Sequence, residues 1–262
     1  MPKEFSSVGW IKARGRIHPN SLDRFLGFAR HMTQADNATP HQAAAYDKGV
    51  RQTIPFYEEI HRQTIDVVKT VRPDVECWLD TGCGTGYLVE LALPVFPKTR
   101  FVLVDPSEAM LKQAMKRLKD VPKNRIRFLQ PIPSEGLLSC AGEIAPQVIT
   151  SILCHHYSQP EQRRQAIQCC HQMLGGGGIL VTFENVAPST SGGTEIGLSR
   201  WKRYQLERGR ELSAVEEHLG RFNTRFFPLR VEEHLDLLKE AGFRVVELFW
   251  FSQMQAGFYA IK

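Results

Sequence analysis

The 262-residue sequence contains no uninterrupted apolar stretch that approaches ~18 residues, so no membrane-spanning helix is expected. Its first residues, Met1–Phe5, lack the apolar core of a signal peptide. The six cysteines form no Cys-x-x-Cys pair, which argues against a zinc site and a disulfide framework. These absences predict a cytoplasmic protein with buried thiols, no bound metal and no membrane partner.

Dense runs of basic residues are also missing. Lys and Arg number 33 against 28 Asp and Glu, which gives a formal net charge of +5. Residues 112–123 hold the densest basic cluster, and we interpret it as the solvated face of one helix. A nucleic-acid partner is therefore not expected. The hydrophobic content of 42% is sufficient for one large α/β domain.

The most informative pattern is a glycine-rich turn between an apolar run and a helical pattern. Glycines stand at positions 82, 84 and 86, where the missing Cβ lets the backbone turn sharply and approach a ligand. The next apolar run ends at Asp105, and a carboxylate there can accept hydrogen bonds from ribose hydroxyls. The two strand ends therefore predict a site for an adenosine-type cofactor.

The glycine spacing distinguishes between cofactors. Tyr87 and Val89 occupy the sixth positions where the dinucleotide motif G-x-G-x-x-G requires glycine. The pattern is acid-x-G-x-G-x-G beginning at Asp80, which resembles the first motif of class I S-adenosylmethionine-dependent methyltransferases. S-adenosylmethionine carries an ammonium and a sulfonium but no pyrophosphate, so a nearby carboxylate suits it better than a helix N-terminus that favours anions.

The resemblance implies S-adenosylmethionine as cofactor, with Asp80 near its amino acid part and the glycines under its ribose and sulfonium. A residue after the third strand reads the adenine amino group in that family, and Gln130 stands near this position. The predicted cofactor-binding residues are Tyr57, Asp80, Gly82, Cys83, Gly84, Gly86, Asp105, Pro106, Gln130 and Ser151.

Apolar strands alternate with helical patterns from residue 76 onward, as in βαβ units. Five parallel strands followed by a terminal hairpin predict a Rossmann-like, doubly wound α/β fold. In the family this is a seven-stranded sheet whose last strand is antiparallel beside the sixth. The predicted parts are an N-terminal helical cap (1–71), a cofactor-binding core (72–185 and 230–262) and a helical lid insertion (186–229) with a flexible lead at 189–193.

Three short segments make the chain resemble the branch that includes carboxy-S-adenosylmethionine synthase: Ile54–Tyr57, Val231–His234 and Ala241–Phe243. A tyrosine that touches the cofactor in that branch corresponds to Tyr57. The branch also holds an extra carboxylate with an arginine before the last helix. A gapless alignment places Leu219 there, with Arg221 two residues away, which favours methyl transfer over carboxy transfer.

The predicted fourth strand ends in a segment that includes His155 and His156, and the resemblance implies that residues at this position face the methyl group. A histidine can act as a base at neutral pH, so either is a candidate catalytic base, or both shape the pocket. The lid aromatics Trp201 and Tyr204 have two possible roles. They stack on a planar or anionic acceptor, or they pack on the core while the lid arginines face water. The predicted substrate-binding residues are Tyr46, Arg51, Tyr157, Trp201 and Tyr204.

These patterns together predict a methyltransferase that acts on a small-molecule acceptor. Two alternatives remain: a carboxy-S-adenosylmethionine synthase-like or tRNA-modification-associated enzyme, and a cofactor-binding scaffold or regulator without turnover. A homodimer is compatible with the sequence. A catalytic signature is not needed, because the sulfonium is already a strong electrophile and the protein mainly aligns the reactants.

Overall fold

Seven strands form one sheet in the computed structural model, which describes residues 36–262 apart from the side chains of 140–143. Residues 1–35 of the predicted cap lie outside this range, and residues 36–262 form one compact unit. The strands are β1 (Cys77–Thr81), β2 (Arg100–Val104), β3 (Ile126–Phe128), β4 (Val148–Ile152), β5 (Ile179–Asn185), β6 (Val245–Ser252) and β7 (Gln255–Ile261).

The strand order is β3-β2-β1-β4-β5-β7-β6. Strands β1 to β5 are parallel, and β7 lies antiparallel between β5 and β6, which confirms the predicted doubly wound sheet with an inserted terminal strand. The order reverses between β1 and β4. Ligands bind in such sheets at the carboxyl ends of the strands beside this reversal.

Two apolar layers enclose the sheet. Leu79, Val102, Ile149 and Leu180 point into one layer, and their sequence neighbours point into the other. All five residues of β1 are buried, as expected for a central parallel strand covered on both faces. The strand ends therefore have a rigid base.

Helices connect and cover the strands. They are α1 (Tyr46–Thr53), α2 (Tyr57–Val71), α3 (Tyr87–Ala92), α4 (Glu108–Arg117), α5 (Pro160–Met173), α6 (Ser191–Glu207), α7 (Leu212–Gly220) and α8 (Val231–Glu240). Short 3₁₀ helices span Ala43–Ala45, Ser134–Glu143 and His155–Tyr157. Pro55 lies between α1 and α2. Ser107 caps α4, because its hydroxyl accepts the Met110 N–H at 3.1 Å.

The expected flexible lead at 189–193 differs from the structure. Helix α6 begins at Ser191, and the Thr190 side chain caps it by accepting the Gly193 N–H at 3.0 Å. The sequence pattern of small polar residues resembles a linker, but Thr is also a favourable N-cap. Helices α6 and α7 separate at Gly209, whose φ of +79° suits glycine.

Candidate cofactor and acceptor site

The glycine loop follows β1 and is shaped by two left-handed glycines. Gly82 and Gly84 have φ values of +64° and +54°. A Cβ on Gly82 would lie 2.5 Å from Cys154 Sγ, whereas a Cβ on Gly84 would meet nothing within 4 Å. Gly82 is therefore required for packing and conformation, and Gly84 leaves open space above the loop.

Asp105 ties the glycine loop to the end of β2. Its Oδ2 accepts the Gly84 N–H at 2.9 Å, and its Oδ1 accepts the Ser107 N–H at 2.8 Å. Burial raises the pKa of this carboxyl, although the two backbone hydrogen bonds oppose the shift. Each oxygen keeps a second lone pair, so the carboxylate can hold the loop and still accept two ribose hydroxyls.

Asp80 is a buried carboxyl with no cationic side chain beside it among residues 36–262. It is 2% exposed, and its Oδ1 accepts the Thr150 hydroxyl at 2.7 Å. The indole of Trp78 donates to the same hydroxyl at 2.9 Å, which fixes the threonine. Burial raises the pKa of Asp80 to about 7, and the charge of Asp105 adds to the rise. A ligand cation beside Asp80 would relieve this penalty.

Three adjacent spaces lie above the strand ends. The main cavity, of about 240 Å³, lies above the glycine loop and Asp105. A side pocket of about 30 Å³ reaches Asp80, and a chamber of about 20 Å³ lies behind Tyr46. Tyr46 borders all three. The main cavity is also lined by Pro106, Ser107, Met110, Ser134, Glu135, Leu153, Cys154, His155, Tyr157 and the segment 37–39.

Aromatic rings form the outer wall of the side pocket. Tyr57 stacks on Tyr87 with a centroid distance of 5.8 Å, and His61 meets both rings edge-on. The Arg51 guanidinium lies 4.9 Å from the Tyr87 centroid. Tyr46 and Tyr57 are joined through their hydroxyls, and burial raises the pKa of both phenols. This wall closes the pocket with polarised rings that suit a cationic group.

Both predicted catalytic histidines are buried, and protein groups contact all of their ring nitrogens. His155 Nδ1 lies 3.1 Å from Ser151 Oγ, and its Nε2 lies 2.9 Å from Ser134 Oγ. His156 Nδ1 lies 2.7 Å from Glu184 Oε2, and its Nε2 lies 3.0 Å from Asn185 Nδ2. Burial lowers the pKa of His155 to about 4. This geometry favours pocket shaping, and catalysis by either histidine stays a prediction.

Glu184 organises the turn that carries these histidines. Its two oxygens accept the backbone N–H groups of His155 and His156 at 3.2 and 2.9 Å, and Thr182 Oγ1 donates at 3.0 Å. Burial alone would raise the pKa of Glu184, but its hydrogen bond with His156 and the other histidines lower it to about 2. The carboxylate therefore holds the 155–157 turn against the main cavity.

Most predicted cofactor residues line these spaces, but three do not. Gly86 caps α3, and a Cβ there would lie 3.2 Å from Ala114 and Leu118. Gln130 is exposed, and the loop that follows it brings Ser134 and Glu135 to the cavity instead. Ser151 is buried behind His155. Gly86 and Ser151 thus support the site from behind it.

Two predicted acceptor residues lie at the site, and three lie elsewhere. Tyr46 and Tyr157 line both the main cavity and the chamber. Trp201 is fully buried and donates to the Thr53 carbonyl at 2.6 Å, so it belongs to the core. Arg51 and Tyr204 border a separate outer groove. The Tyr204 hydroxyl donates to the Arg51 carbonyl at 3.1 Å, which ties the lid to α1.

Sequence reasoning missed several lining residues. His61 and Thr85 border the side pocket, and His41, Asn185 and His218 border the chamber. No local motif marks these positions, because they come together only through the packing of α1, α2 and α7 around the strand ends. Thr85 alone was findable, since it lies inside the glycine motif.

Within residues 36–262 no group of three or more His, Cys, Asp or Glu side chains is arranged to hold a metal ion. None of the helices in that range has the length and apolarity needed to cross a membrane.

The sheet order and the acid-x-G-x-G-x-G loop are those of class I S-adenosylmethionine-dependent enzymes. Residues 79–180, less than half of the chain, match the family described as "Methyltransferase domain". This match and the relatives below support an enzyme of the S-adenosylmethionine-dependent methyltransferase class, with S-adenosylmethionine as its cofactor or substrate. The unpaired carboxyl of Asp80 and the open space above Gly84 fit that cation-bearing group.

Curated relatives cover most of the chain. The carboxy-S-adenosyl-L-methionine synthase of Nautilia profundicola is 24% identical over 221 residues, covering 84% of this chain and 92% of that protein. The enzyme of the same name from Trichodesmium erythraeum is 26% identical over 204 residues, covering 77% and 79%.

Solved structures share the fold. The N-methyltransferase NodS from Bradyrhizobium japonicum, in complex with S-adenosyl-L-homocysteine, has a TM-score of 0.54 at 16% identity and covers 92% of this chain and 96% of its own. An O-methyltransferase family protein from Burkholderia thailandensis has a TM-score of 0.56 at 15% identity and covers 78% of this chain. This chain spans 56% of that longer protein.

Proposed function

We propose that this enzyme transfers the S-adenosylmethionine methyl group to a small-molecule acceptor. The observation that carries the proposal is the narrow chamber behind Tyr46, because it shares lining residues with the cofactor spaces and has room for only a small group. A macromolecular substrate would need an open approach to the transferred methyl group. The basic residues are dispersed along the sequence, which likewise argues against a nucleic-acid partner.

The cofactor is assigned by the charges around the cavity. We place its ammonium beside Asp80 in the side pocket, where a cation lowers the cost of the buried carboxylate. Asp105 would hold the ribose hydroxyls above Gly84. Met110 and Glu135 would hold the adenine, and Glu135 would then take the adenine-reading role first assigned to Gln130.

The methyl group then faces Tyr46, Leu153 and Tyr157, which border both the main cavity and the chamber. Methyl transfer needs the nucleophile, methyl carbon and sulfur in line, and it needs water to be excluded. The buried turn 155–157 and the aromatic wall supply this enclosure. His155 and His156 shape the pocket in this proposal.

The names of the curated relatives make carboxy-S-adenosylmethionine synthesis a second candidate. That chemistry needs a cation for the new carboxylate. Leu219, at the aligned position, is apolar and packs with the Trp201 cluster. Arg221 is half-buried and donates to the Ala38 carbonyl at 3.0 Å, which leaves its other N–H donors near the chamber. The apolar Leu219 is therefore the observation that favours methyl transfer.

Other parts of the proposal concern organisation and setting. We propose that residues 186–229 act as a lid whose acceptor-facing side is α7, while α6 anchors it through Trp201 and Tyr204. The described cysteines are free thiols, in keeping with a cytoplasmic setting. A homodimer stays a prediction.

Mass spectrometry of the nucleoside that copurifies with the protein tests the two candidates. We expect S-adenosylmethionine or S-adenosylhomocysteine at near-stoichiometric amounts. A carboxylated S-adenosylmethionine would instead support the second candidate. An Asp105→Ala variant should copurify with much less nucleoside, because both ribose hydrogen bonds and the loop tether are lost.

A further inference from the structure

The chamber behind Tyr46 contains a histidine whose ring orientation and tautomer follow from its neighbours. His218, on α7, is 4% exposed. Its ring lies edge-on to Trp201 at 4.9 Å and beside Phe226 at 5.9 Å. Its Nδ1 lies 3.0 Å from Gln205 Oε1. These contacts leave the imidazole little freedom to rotate.

The tautomer of His218 is set by Arg210. The Arg210 guanidinium, which can only donate, hydrogen-bonds the same Gln205 atom. That atom must therefore be the amide oxygen, and His218 Nδ1 must carry the proton that it accepts. In the neutral ring, Nε2 then has a lone pair. Burial, with the charges of Arg210 and Arg221, lowers the pKa of His218 to about 3, so the ring is neutral near pH 7.

The Nε2 lone pair of His218 has no partner among residues 36–262, while the ring lines the chamber. The other two histidines there differ from it. His41 Nε2 pairs with Thr53 Oγ1 at 2.9 Å, and both nitrogens of His156 are engaged. His41 Nδ1 lies against Gly49, where a Cβ would come within 2.4 Å of it, so His218 Nε2 is the chamber imidazole nitrogen in this range that is left to accept a hydrogen bond from a ligand.

The chamber volume of about 20 Å³ suits one water-sized group, such as a hydroxyl. Two cationic side chains, Arg210 and Arg221, lie on the His218 side of the chamber. His41 and His156 border it. Glu184 lies behind His156, and both carboxylate oxygens of Glu184 already accept hydrogen bonds. Asp105 faces Tyr46 from the main cavity. A cationic ammonium on the acceptor would meet the two guanidinium fields, whereas a neutral hydroxyl would not.

We propose that His218 determines acceptor specificity by accepting, through Nε2, a hydrogen bond from a hydroxyl of the methyl acceptor. This inference rests on the proposed function, and it names the acceptor class as neutral or anionic hydroxyl compounds in place of cationic amines. A low-pKa imidazole is a weak base, so His218 mainly orients the hydroxyl. The hydroxyl proton becomes strongly acidic as the methyl carbon bonds to the oxygen and leaves the cofactor sulfur, and it then passes along this hydrogen bond to Nε2.

The test uses nitrogen-15-labelled full-length protein saturated with S-adenosylhomocysteine. Long-range proton–nitrogen spectra should show His218 as the neutral Nδ1–H tautomer. Phenol should shift the Nε2 resonance, whereas anisole, which lacks the donor, and benzylamine, which is cationic, should not. A protonated Nε2, no response to phenol, or equal responses to phenol and anisole would overturn the inference.

Two variants separate the hydrogen bond from folding. His218→Asn retains a polar atom near Nδ1 and loses the one at Nε2, so phenol affinity should fall about ten- to a hundredfold. His218→Gln can place an amide oxygen near Nε2 and should recover most of the loss. His171→Asn, on α5, is the matched control. Equal phenol affinity in the Asn and Gln variants would contradict the inference.

Calorimetry with S-adenosylmethionine tests the proposed function separately from the role of His218. Its affinity should be the same in the parent and in all three variants. A parent that binds no S-adenosylmethionine would refute the proposed function, whatever the tautomer of His218. Normal cofactor binding without discrimination between phenol and anisole would refute the role of His218 and leave the proposed function standing.

Discussion

The pH dependence of cofactor binding should be controlled by Asp80. Its carboxyl has a pKa of about 7 in the folded protein without ligand, against an ordinary value of 3.8. The bound ammonium needs the ionised form. Below pH 7 the competent fraction falls about tenfold per pH unit, so affinity at pH 6 should be about tenfold weaker than its maximum. Above about pH 8 the α-amino group of the cofactor loses its proton, and affinity falls again.

An Asp80→Asn variant keeps the size of the side chain and the oxygen that accepts the Thr150 hydroxyl. It loses the charge, so S-adenosylmethionine should bind about ten- to a hundredfold more weakly near pH 7.5, because a hydrogen bond to a charged group contributes about 1.5–3 kcal/mol. The acidic limb of the pH profile should also disappear. Asp66→Asn, on the exposed face of α2, is the matched control and should behave like the parent.

The same titration predicts the stability of the protein without ligand. A buried acid with a raised pKa binds more protons in the folded state, so the free energy of unfolding falls as pH rises from about 4 to about 7. Asp80→Asn should flatten this decline. Calorimetric titrations from pH 5.5 to 8.5 with denaturant melts over the same range supply both readouts. An unchanged acidic limb in the variant would refute the assignment of the ammonium to Asp80.

Three further predictions follow from the site. Gly82→Ala should abolish cofactor binding in calorimetry, because its Cβ would meet Cys154 Sγ at 2.5 Å in a left-handed backbone; parent-like affinity would show that the loop adapts. Trp201→Phe should lower the free energy of unfolding by about 1–3 kcal/mol, because the hydrogen bond to the Thr53 carbonyl is lost, and it should leave the acceptor KM unchanged. A changed KM with unchanged stability would show that Trp201 contacts the acceptor. Glu184 has a depressed pKa, so its contribution to stability is present above about pH 4.5 and is lost toward pH 2. The acid-unfolding curve of Glu184→Gln should lack that loss. Identical curves for the parent and the variant would contradict this prediction.

The sheet and the cofactor loop were predictable because their signals are local. Strand β1, the three glycines and Asp105 lie within thirty residues, and the glycine spacing alone separates the motif from the dinucleotide pattern. The terminal hairpin is likewise a local pattern of two apolar strands around a short turn.

The acceptor side was not predictable, because it depends on which face of each lid helix turns inward. Trp201 and Tyr204 are residue types that often stack on ligands. Their polar atoms instead donate hydrogen bonds to the carbonyls of Thr53 and Arg51. His218 carries no motif and reaches the chamber only through the packing of α7. Gln130 lies outside the cavity for a related reason: β3 ends at Phe128, and the 3₁₀ helix that begins at Ser134 brings other residues to the cavity.

The central claim is that a methyl group passes from S-adenosylmethionine to a hydroxyl-bearing small molecule. Incubation of the enzyme with methyl-deuterated S-adenosylmethionine and a small-metabolite extract, followed by mass spectrometry, tests it most directly. We expect the deuterated methyl group on the oxygen of a small molecule, with S-adenosylhomocysteine formed in equal amount. Formation of a carboxylated S-adenosylmethionine that retains two of the three methyl deuterons, with no methylated small molecule, would contradict the account.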